Sequence, residues 1–139
     1  MKQGNILINY IHMKKEKFNI EYVFDKASRK NLWNHLTTSS GLSEWFAEDV
    51  ISKGDTFEFI WNNQMLEAER LAFTQDSFIR FRWIGEEDGE AYFEFRLNTS
   101  ELTGALLLEI IDFAYPEEKE DAISLWDSQV KVLFRKLGL

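Results

Sequence analysis

The sequence predicts one α+β domain in which an antiparallel sheet of about six strands is covered by a long C-terminal helix. The chain has 139 residues, the size of one ordinary domain. Apolar and polar residues alternate with period two over much of residues 17–113, and apolar residues recur at helical spacing over 123–137. An apolar sheet face and a helix with one apolar stripe can bury each other as two layers.

The strand pattern consists of one early strand and five consecutive later ones. The early strand, Lys17 to Phe24, places Phe18, Ile20, Tyr22 and Phe24 on one face. The later strands are predicted at Asp55 to Trp61, Gln64 to Thr74, Ile79 to Trp83, Tyr92 to Leu97 and Ala105 to Phe113. Asn62-Asn63 favours a tight hairpin turn because asparagine tolerates positive φ, and the irregular strand after it predicts a bulge.

Two short helices are predicted between the early strand and the later ones. Ser28 can cap the first, and Ser39 or Ser40 can cap the second. The long terminal helix begins at Pro116, which is well tolerated in a first turn, and Gly138 ends it. Its apolar stripe consists of Ile123, Trp126, Val130, Leu133 and Leu137.

The second face of the sheet is polar. Arg80, Arg82 and Arg96 alternate with the apolar residues of their strands and share this face with Glu58 and Glu94. Opposite charges on neighbouring strands can pair, with each exposed pair contributing less than about 1 kcal/mol. We expect this face to be solvated and not to be a binding site.

Composition excludes several classes of function. The absence of cysteine excludes disulfides, thiol nucleophiles, iron–sulfur clusters and cysteine-ligated zinc, and it fits a cytoplasmic location. The net charge is −8, and residues 31–139 carry nine basic and 21 acidic side chains. Because nucleic-acid binding depends on clustered lysine and arginine, we expect no nucleic-acid partner.

The first twelve residues stand apart from the regular pattern. Their apolar run, Ile6-Leu7-Ile8, is too short and too polar in its surroundings for a membrane span or a signal peptide. We interpret residues 1–12 as an N-terminal extension, Met13 as a native start, and residues 13–139 as the domain. An additional edge strand within residues 1–12 is the alternative.

Three segments resemble a known family. The run Leu36-Thr37-Thr38-Ser39-Ser40-Gly41-Leu42-Ser43-Glu44-Trp45-Phe46, the strand Phe78 to Trp83, and the ending from Leu125-Trp126-Asp127 to Leu137-Gly138 are similar to bacterial START-like domains. These are relatives of the heat-shock ATPase activator homologues in the helix-grip (SRPBCC, Bet v I-like) superfamily. The resemblance covers Lys17 to Leu139 and implies a curved sheet gripping the terminal helix. The superfamily includes lipid carriers, hormone receptors, cyclases and co-chaperones, so the fold does not determine the function.

No catalytic or metal motif is recognisable, and no cofactor is expected. Only two histidines exist, His12 and His35, and neither has a motif partner. The acidic segment Glu86 to Glu90 lacks the ligand spacing of a calcium loop and is interpreted as a solvated hairpin turn. If the protein were a cyclase- or hydrolase-like enzyme, Asp112 and Arg70 would be the titratable candidates.

The aromatic residues suggest the remaining hypotheses. They either fill the space between sheet and helix or line a cavity for a hydrophobic or amphipathic molecule, which Asp112 or an indole could orient. The candidate cavity residues are Phe59, Trp61, Phe81, Trp83, Phe93, Phe95, Ile110, Asp112, Ile123, Trp126 and Val130. The leading hypothesis is a non-catalytic ligand-binding domain. The alternative is a protein-interaction module of co-chaperone type, and the oligomeric state stays open.

Overall fold

A seven-stranded antiparallel sheet and one long helix form most of the structure, which is a computed structural model describing residues 14–139. In chain order the elements are β1 (Glu16–Val23), α1 (Arg29–Thr37), α2 (Ser39–Leu42), β2 (Asp49–Lys53), β3 (Thr56–Trp61), β4 (Gln64–Thr74), β5 (Phe78–Trp83), β6 (Phe93–Thr99), β7 (Leu106–Ala114), a 3-10 turn (Pro116–Glu118) and α3 (Lys119–Lys136). The predicted extension at residues 1–12 and the start at Met13 lie outside the described residues.

The sheet order is β1-β7-β6-β5-β4-β3-β2, and every neighbouring pair is antiparallel. The prediction of about six strands was wrong by one, because β2 was missed. In that five-residue strand only Val50 is buried, so no apolar alternation marks it. Its pairing with β3, in which Val50 lies opposite Phe59, makes it a strand.

The terminal helix covers the inner face of the sheet, as its apolar stripe predicts. Trp126, Val130 and Leu133 are buried along α3. Phe134, one residue further on, stacks on Phe24 with ring centres 4.2 Å apart. The grip between sheet and helix is therefore closed by aromatic packing towards the C-terminal end of α3.

Local turn chemistry also follows the sequence. Asn62 and Asn63 both have positive φ, at 49° and 64°, in the tight hairpin that joins β3 to β4. The predicted irregularity of the fourth strand is a register shift between Arg70 and Ala72. Such a bulge increases the local twist and helps the sheet curve around the helix.

The two short helices pack closely, with one correction to their capping. Ser28 caps α1 through a hydrogen bond from a backbone N–H of its first turn, as expected. The cap of α2 is Thr38, not Ser39 or Ser40, and the Thr38 hydroxyl accepts a 2.9 Å hydrogen bond from the N–H of Gly41. Thr38 therefore ends α1 and begins α2.

The interpretation of the polar face as solvated was wrong for Glu94, which is fully buried. Its carboxylate lies 2.8 Å from Nε of Arg80 and 3.0 Å from the guanidinium of Arg96. The guanidinium groups in turn lie over the rings of Tyr92 and Phe78, at 4.0 and 4.5 Å from the ring centres. The alternation pattern predicted that these charges could pair, but it did not reveal that aromatic residues from the same face cover them.

The acidic loop between β5 and β6 is likewise more ordered than a solvated turn. Asp88 is buried and accepts hydrogen bonds from the backbone N–H groups of Lys15 and Glu90, at 2.8 and 2.9 Å. These bonds hold the pKa of Asp88 below its usual value. Lys15 also pairs with Glu86 at 2.7 Å, so the loop is fastened to the residue preceding β1.

Candidate functional site

A cleft of about 480 Å³ opens at one end of the grip. It lies between the β3–β4 hairpin, the end of β5 and the N-terminal half of α3. Leu66 and Leu125 form part of its rim, and both side chains are largely exposed. The volume falls in the range of sites that hold small organic molecules.

Four of the eleven candidate cavity residues line this cleft: Trp61, Trp83, Asp112 and Trp126. Six others fill the core and are at most 1% exposed, namely Phe59, Phe81, Phe93, Phe95, Ile110 and Val130. Ile123 is partly buried and packs against that core. The centre of the grip is therefore filled, and open space begins only beyond Trp83 and Trp126.

Sequence reasoning missed the other residues of the lining, which are Phe46, Asn62, Leu66, Ala122, Leu125 and Gln129. Phe46 is the most important of these. Its ring stacks on Trp126 with centres 5.6 Å apart, and it meets Trp61 edge-on at 5.4 Å. Phe46 ends the segment Leu36 to Phe46, which resembles the START-like family, and this position was the sequence signal that could have identified it.

The backbone at Phe46 is held by side chains from opposite walls. Its carbonyl oxygen accepts hydrogen bonds from Nε1 of Trp61 at 2.8 Å and from Nε2 of Gln129 at 2.9 Å. The preceding residue, Trp45, is held as well, because its indole Nε1 donates a 2.7 Å hydrogen bond to the carbonyl oxygen of His35. The floor of the cleft is thus tied to both β3 and α3.

Asp112 is the titratable residue of the cleft. It lies on the inner face of β7, and its two carboxylate oxygens accept hydrogen bonds from Nε1 of Trp126 at 2.9 Å and from the N–H of Phe113 at 2.8 Å. Burial raises its pKa to about 6, although both hydrogen bonds and the nearby Lys15 act in the opposite direction. Loss of hydration outweighs these stabilising contacts.

A smaller space of about 100 Å³ adjoins the opposite side of the same carboxylate. Lys15 and Glu86 line it together with Trp83 and Asp112. The ammonium group of Lys15 pairs with Glu86 at 2.7 Å, and its charge also acts on Asp112. Among residues 14–139, no cation lies within salt-bridge distance of Asp112.

The other candidates for catalysis lie elsewhere. Arg70 pairs with Asp55 at 2.6 Å, and its guanidinium lies over the ring of Phe73. His35 contacts Glu44 at 2.5 Å on the surface of the short helices. Neither Arg70 nor His35 lines the cleft. In the described part of the chain, no group of three histidine or carboxylate side chains could hold a metal ion.

A search among curated proteins found no match. Solved structures with the same fold do exist. BfR322 from Bacteroides fragilis is 41% identical over 88% of this chain and 91% of its own, with a TM-score of 0.63. The Aha1 dimer from Colwellia psychrerythraea is 17% identical over 88% and 96% of the two chains, with a TM-score of 0.73. CalU16 from Micromonospora echinospora is 18% identical over 86% and 74%, with a TM-score of 0.65.

The family assignment rests on the whole domain. Within residues 14–139, no helix is long and apolar enough to cross a membrane. The family model for the START-like superfamily domain matches residues 12–139, which is nearly the entire chain. The sheet, the gripped helix and this match agree, and the chain belongs to the START-like superfamily.

Proposed function

We propose that this domain binds a small amphipathic molecule in the cleft without transforming it, for transport, sensing or storage. The observation that carries the proposal is the cleft of about 480 Å³, with aromatic walls and one partly desolvated carboxylate. Apolar walls with a few polar groups are typical of small-molecule sites, because the walls supply affinity and the polar groups supply orientation.

The composition of the lining favours binding over catalysis. General acid–base or nucleophilic chemistry commonly needs two cooperating groups within hydrogen-bond reach of the reacting atoms. Asp112 is the one carboxylate among the described residues of the lining, which otherwise offers indoles, the amides of Asn62 and Gln129, and apolar side chains. A cyclase- or hydrolase-like activity therefore has one candidate residue and no partner for it in this cleft.

The test combines ligand screening with a variant that fills the cleft. Native mass spectrometry of protein made in its own host should reveal a bound molecule, and fatty acids, sterols, isoprenoids and flavonoids should be screened by thermal shift. A ligand at a hundred times its dissociation constant should stabilise the wild type by about 2.7 kcal/mol. Ala122→Phe should weaken this effect because Ala122 lines the cleft.

Ser124→Phe is the matched control, since Ser124 is an exposed residue of the same helix. It should bind ligand as the wild type does. If no compound stabilises the wild type and nothing is retained in native mass spectrometry, the ligand-binding proposal fails.

A protein-interaction module of co-chaperone type is the second candidate. Exposed apolar side chains favour it, because Leu66 and Ile84 border a shallow depression beside the cleft and Leu125 lies across the mouth. The test is whether the domain stimulates a heat-shock ATPase from the host. A stimulation that Ile84→Ser abolishes and Ala122→Phe leaves unchanged would favour this function over the first.

A further inference from the structure

The cleft combines three indole rings with a carboxylate. Trp61, Trp83 and Trp126 line it together with Asp112. The rings of Trp61 and Trp83 have centres 6.1 Å apart, and Trp126 donates its hydrogen bond directly to Asp112. A ligand in the cleft can therefore contact aromatic rings and a carboxylate.

Among the described residues that line the cleft, the one charged side chain is the carboxylate of Asp112. Of the described residues that line the cleft, none is a lysine, arginine or histidine. Lys15 approaches from the other side of Asp112, and its ammonium group is paired with Glu86. An anionic head group would meet a carboxylate in a partly desolvated site, which is strongly unfavourable.

A cation is favoured at the same place for two independent reasons. The face of an indole carries negative charge density that attracts a cation within about 6 Å of the ring centre. A partly buried carboxylate without a paired cation has also lost part of its hydration. A positively charged ligand offsets some of that loss through its attraction to the carboxylate. A neutral ligand benefits from neither effect.

We propose that the cleft selects an organic cation, namely an amine or quaternary ammonium group seated against Asp112 and the indoles, with an apolar tail running towards Leu66 and Leu125. This inference rests on the proposed ligand-binding function and specifies the chemical class of the ligand. The hydrogen bond from Nε1 of Trp126 fixes the orientation of the Asp112 carboxylate in the lining of the cleft.

The test compares three probes that share one tail: decyltrimethylammonium, decanol and decanoate, all below their micelle-forming concentrations. Calorimetric titration of the wild type should give a dissociation constant for the ammonium probe about tenfold lower than for decanol, with decanoate weaker still. In Asp112→Asn the preference for the ammonium probe over decanol should largely disappear, while decanol continues to bind.

Asp121→Asn is the matched control, because it removes one carboxylate from the exposed side of α3, outside the cleft lining. It should keep the preference; an equal loss in Asp121→Asn would assign the preference to the overall negative charge and overturn the inference. Trp83→Leu provides a second variant that keeps an apolar wall. It should lower the affinity for the ammonium probe several-fold more than that for decanol.

The possible results separate the two proposals. If decanol or decanoate binds the wild type as tightly as the ammonium probe, the cation inference is wrong and the ligand-binding function stands. If the wild type binds none of the three probes and no compound of the wider panel, both proposals fail.

Discussion

The indole Nε1 of Trp126 donates a 2.9 Å hydrogen bond to Oδ2 of Asp112, and this bond joins α3 to β7 at the wall of the cleft. Phe113 supplies a backbone donor to the second oxygen of the same carboxylate. The site residue is thus part of the contact between helix and sheet, so its protonation is coupled to the stability of the fold.

The first prediction concerns the pH dependence of stability. Burial raises the pKa of Asp112 from 3.8 to about 6, so the folded protein holds this proton more tightly than the unfolded chain does. The resulting stabilisation is complete below the unfolded pKa and is lost as the pH rises through the folded pKa. It amounts to roughly 2–3 kcal/mol. Urea unfolding of wild type and Asp112→Asn at several pH values between 4 and 7 measures it.

The wild type should therefore lose stability relative to Asp112→Asn as the pH rises across that interval. Asparagine has one acceptor oxygen, which cannot accept hydrogen bonds from both Trp126 and Phe113 as the carboxylate does. The free energy of unfolding of Asp112→Asn should therefore also be lower by about 1 kcal/mol at every pH. Titration of all other groups largely cancels in the difference. A difference between the two proteins that stays constant with pH would contradict the prediction.

The second prediction concerns Trp126, whose side chain is packed on several sides and meets the cleft on another. Its ring stacks on Phe46 and meets Phe95 edge-on at 5.8 Å, and the residue is only 6% exposed. Trp126→Ala should lower the free energy of unfolding by about 3 kcal/mol, at the lower end for a large aromatic because one side borders open space.

The neighbouring Leu125→Ala is the control, since Leu125 is 60% exposed and also lines the cleft. It should change the free energy of unfolding by less than about 0.5 kcal/mol. Both values can be measured by chemical denaturation. A loss below about 1 kcal/mol for Trp126→Ala would mean that its packing contributes little.

The third prediction concerns the buried carboxylate of Glu94. Glu94→Gln removes the charge that Arg80 and Arg96 both contact and should lower the free energy of unfolding by about 2 kcal/mol. The arginines are about one-third exposed and keep part of their hydration, so the loss should stay below that of a fully buried pair. Glu58→Gln, whose contact with Lys53 is 3.9 Å, should change stability by less than about 0.5 kcal/mol. The prediction is wrong if Glu94→Gln and Glu58→Gln lower the melting temperature by the same amount in thermal denaturation.

The fourth prediction concerns the close approach of α1 and α2. A Cβ added at Gly41 would lie 2.3 Å from the backbone oxygen of Asn34, which cannot move without disturbing α1. Gly41→Ala should therefore destabilise the protein by about 2 kcal/mol or more. At Gly89 an added Cβ would meet no atom within 4 Å, so Gly89→Ala should have a melting temperature close to that of the wild type. A similarly small change for Gly41→Ala would mean that the helices can separate at little cost.

The fifth prediction concerns the N-terminal extension. If residues 1–12 lie outside the domain, starting the chain at Met13 should leave the melting temperature within about 2 °C of the full-length value. Differential scanning calorimetry of the two proteins provides the measurement. A decrease several times larger would indicate that the segment packs as an additional element.

The apolar pattern along the chain was sufficient to predict six of the seven strands, and strict alternation also predicted the buried face of β1, β3, β5 and β6. Phe57, Phe59 and Trp61 share the inner face of β3 because successive strand residues point to opposite sides. The spacing of the apolar residues in α3 likewise determined which side of the helix is buried. β2 was missed because a short edge strand with one buried residue, Val50, is defined by its pairing and not by its composition.

The alternation pattern placed Arg80 and Glu94 on one face, but it did not predict that Glu94 is buried. Tyr92 precedes β6 and places its ring over the guanidinium of Arg80, which pairs with Glu94. A polar residue at an outward position is ordinarily solvated, and only the assembled sheet shows that this one is covered.

The sequence by itself determined which aromatic residues of β3, β5 and β6 face the helix, whereas the tertiary structure decided which of them border open space. Phe81 and Trp83 lie two residues apart on the same face of β5, yet Phe81 is fully buried and Trp83 lines the cleft. Phe81 is enclosed by aromatic rings from the neighbouring strands, namely Phe57, Phe59, Phe93 and Phe95. Trp83 lies beyond them at the end of β5 and borders the cleft. The position of a void depends on the volumes of side chains brought together from all parts of the chain, and periodicity along one strand does not contain that information.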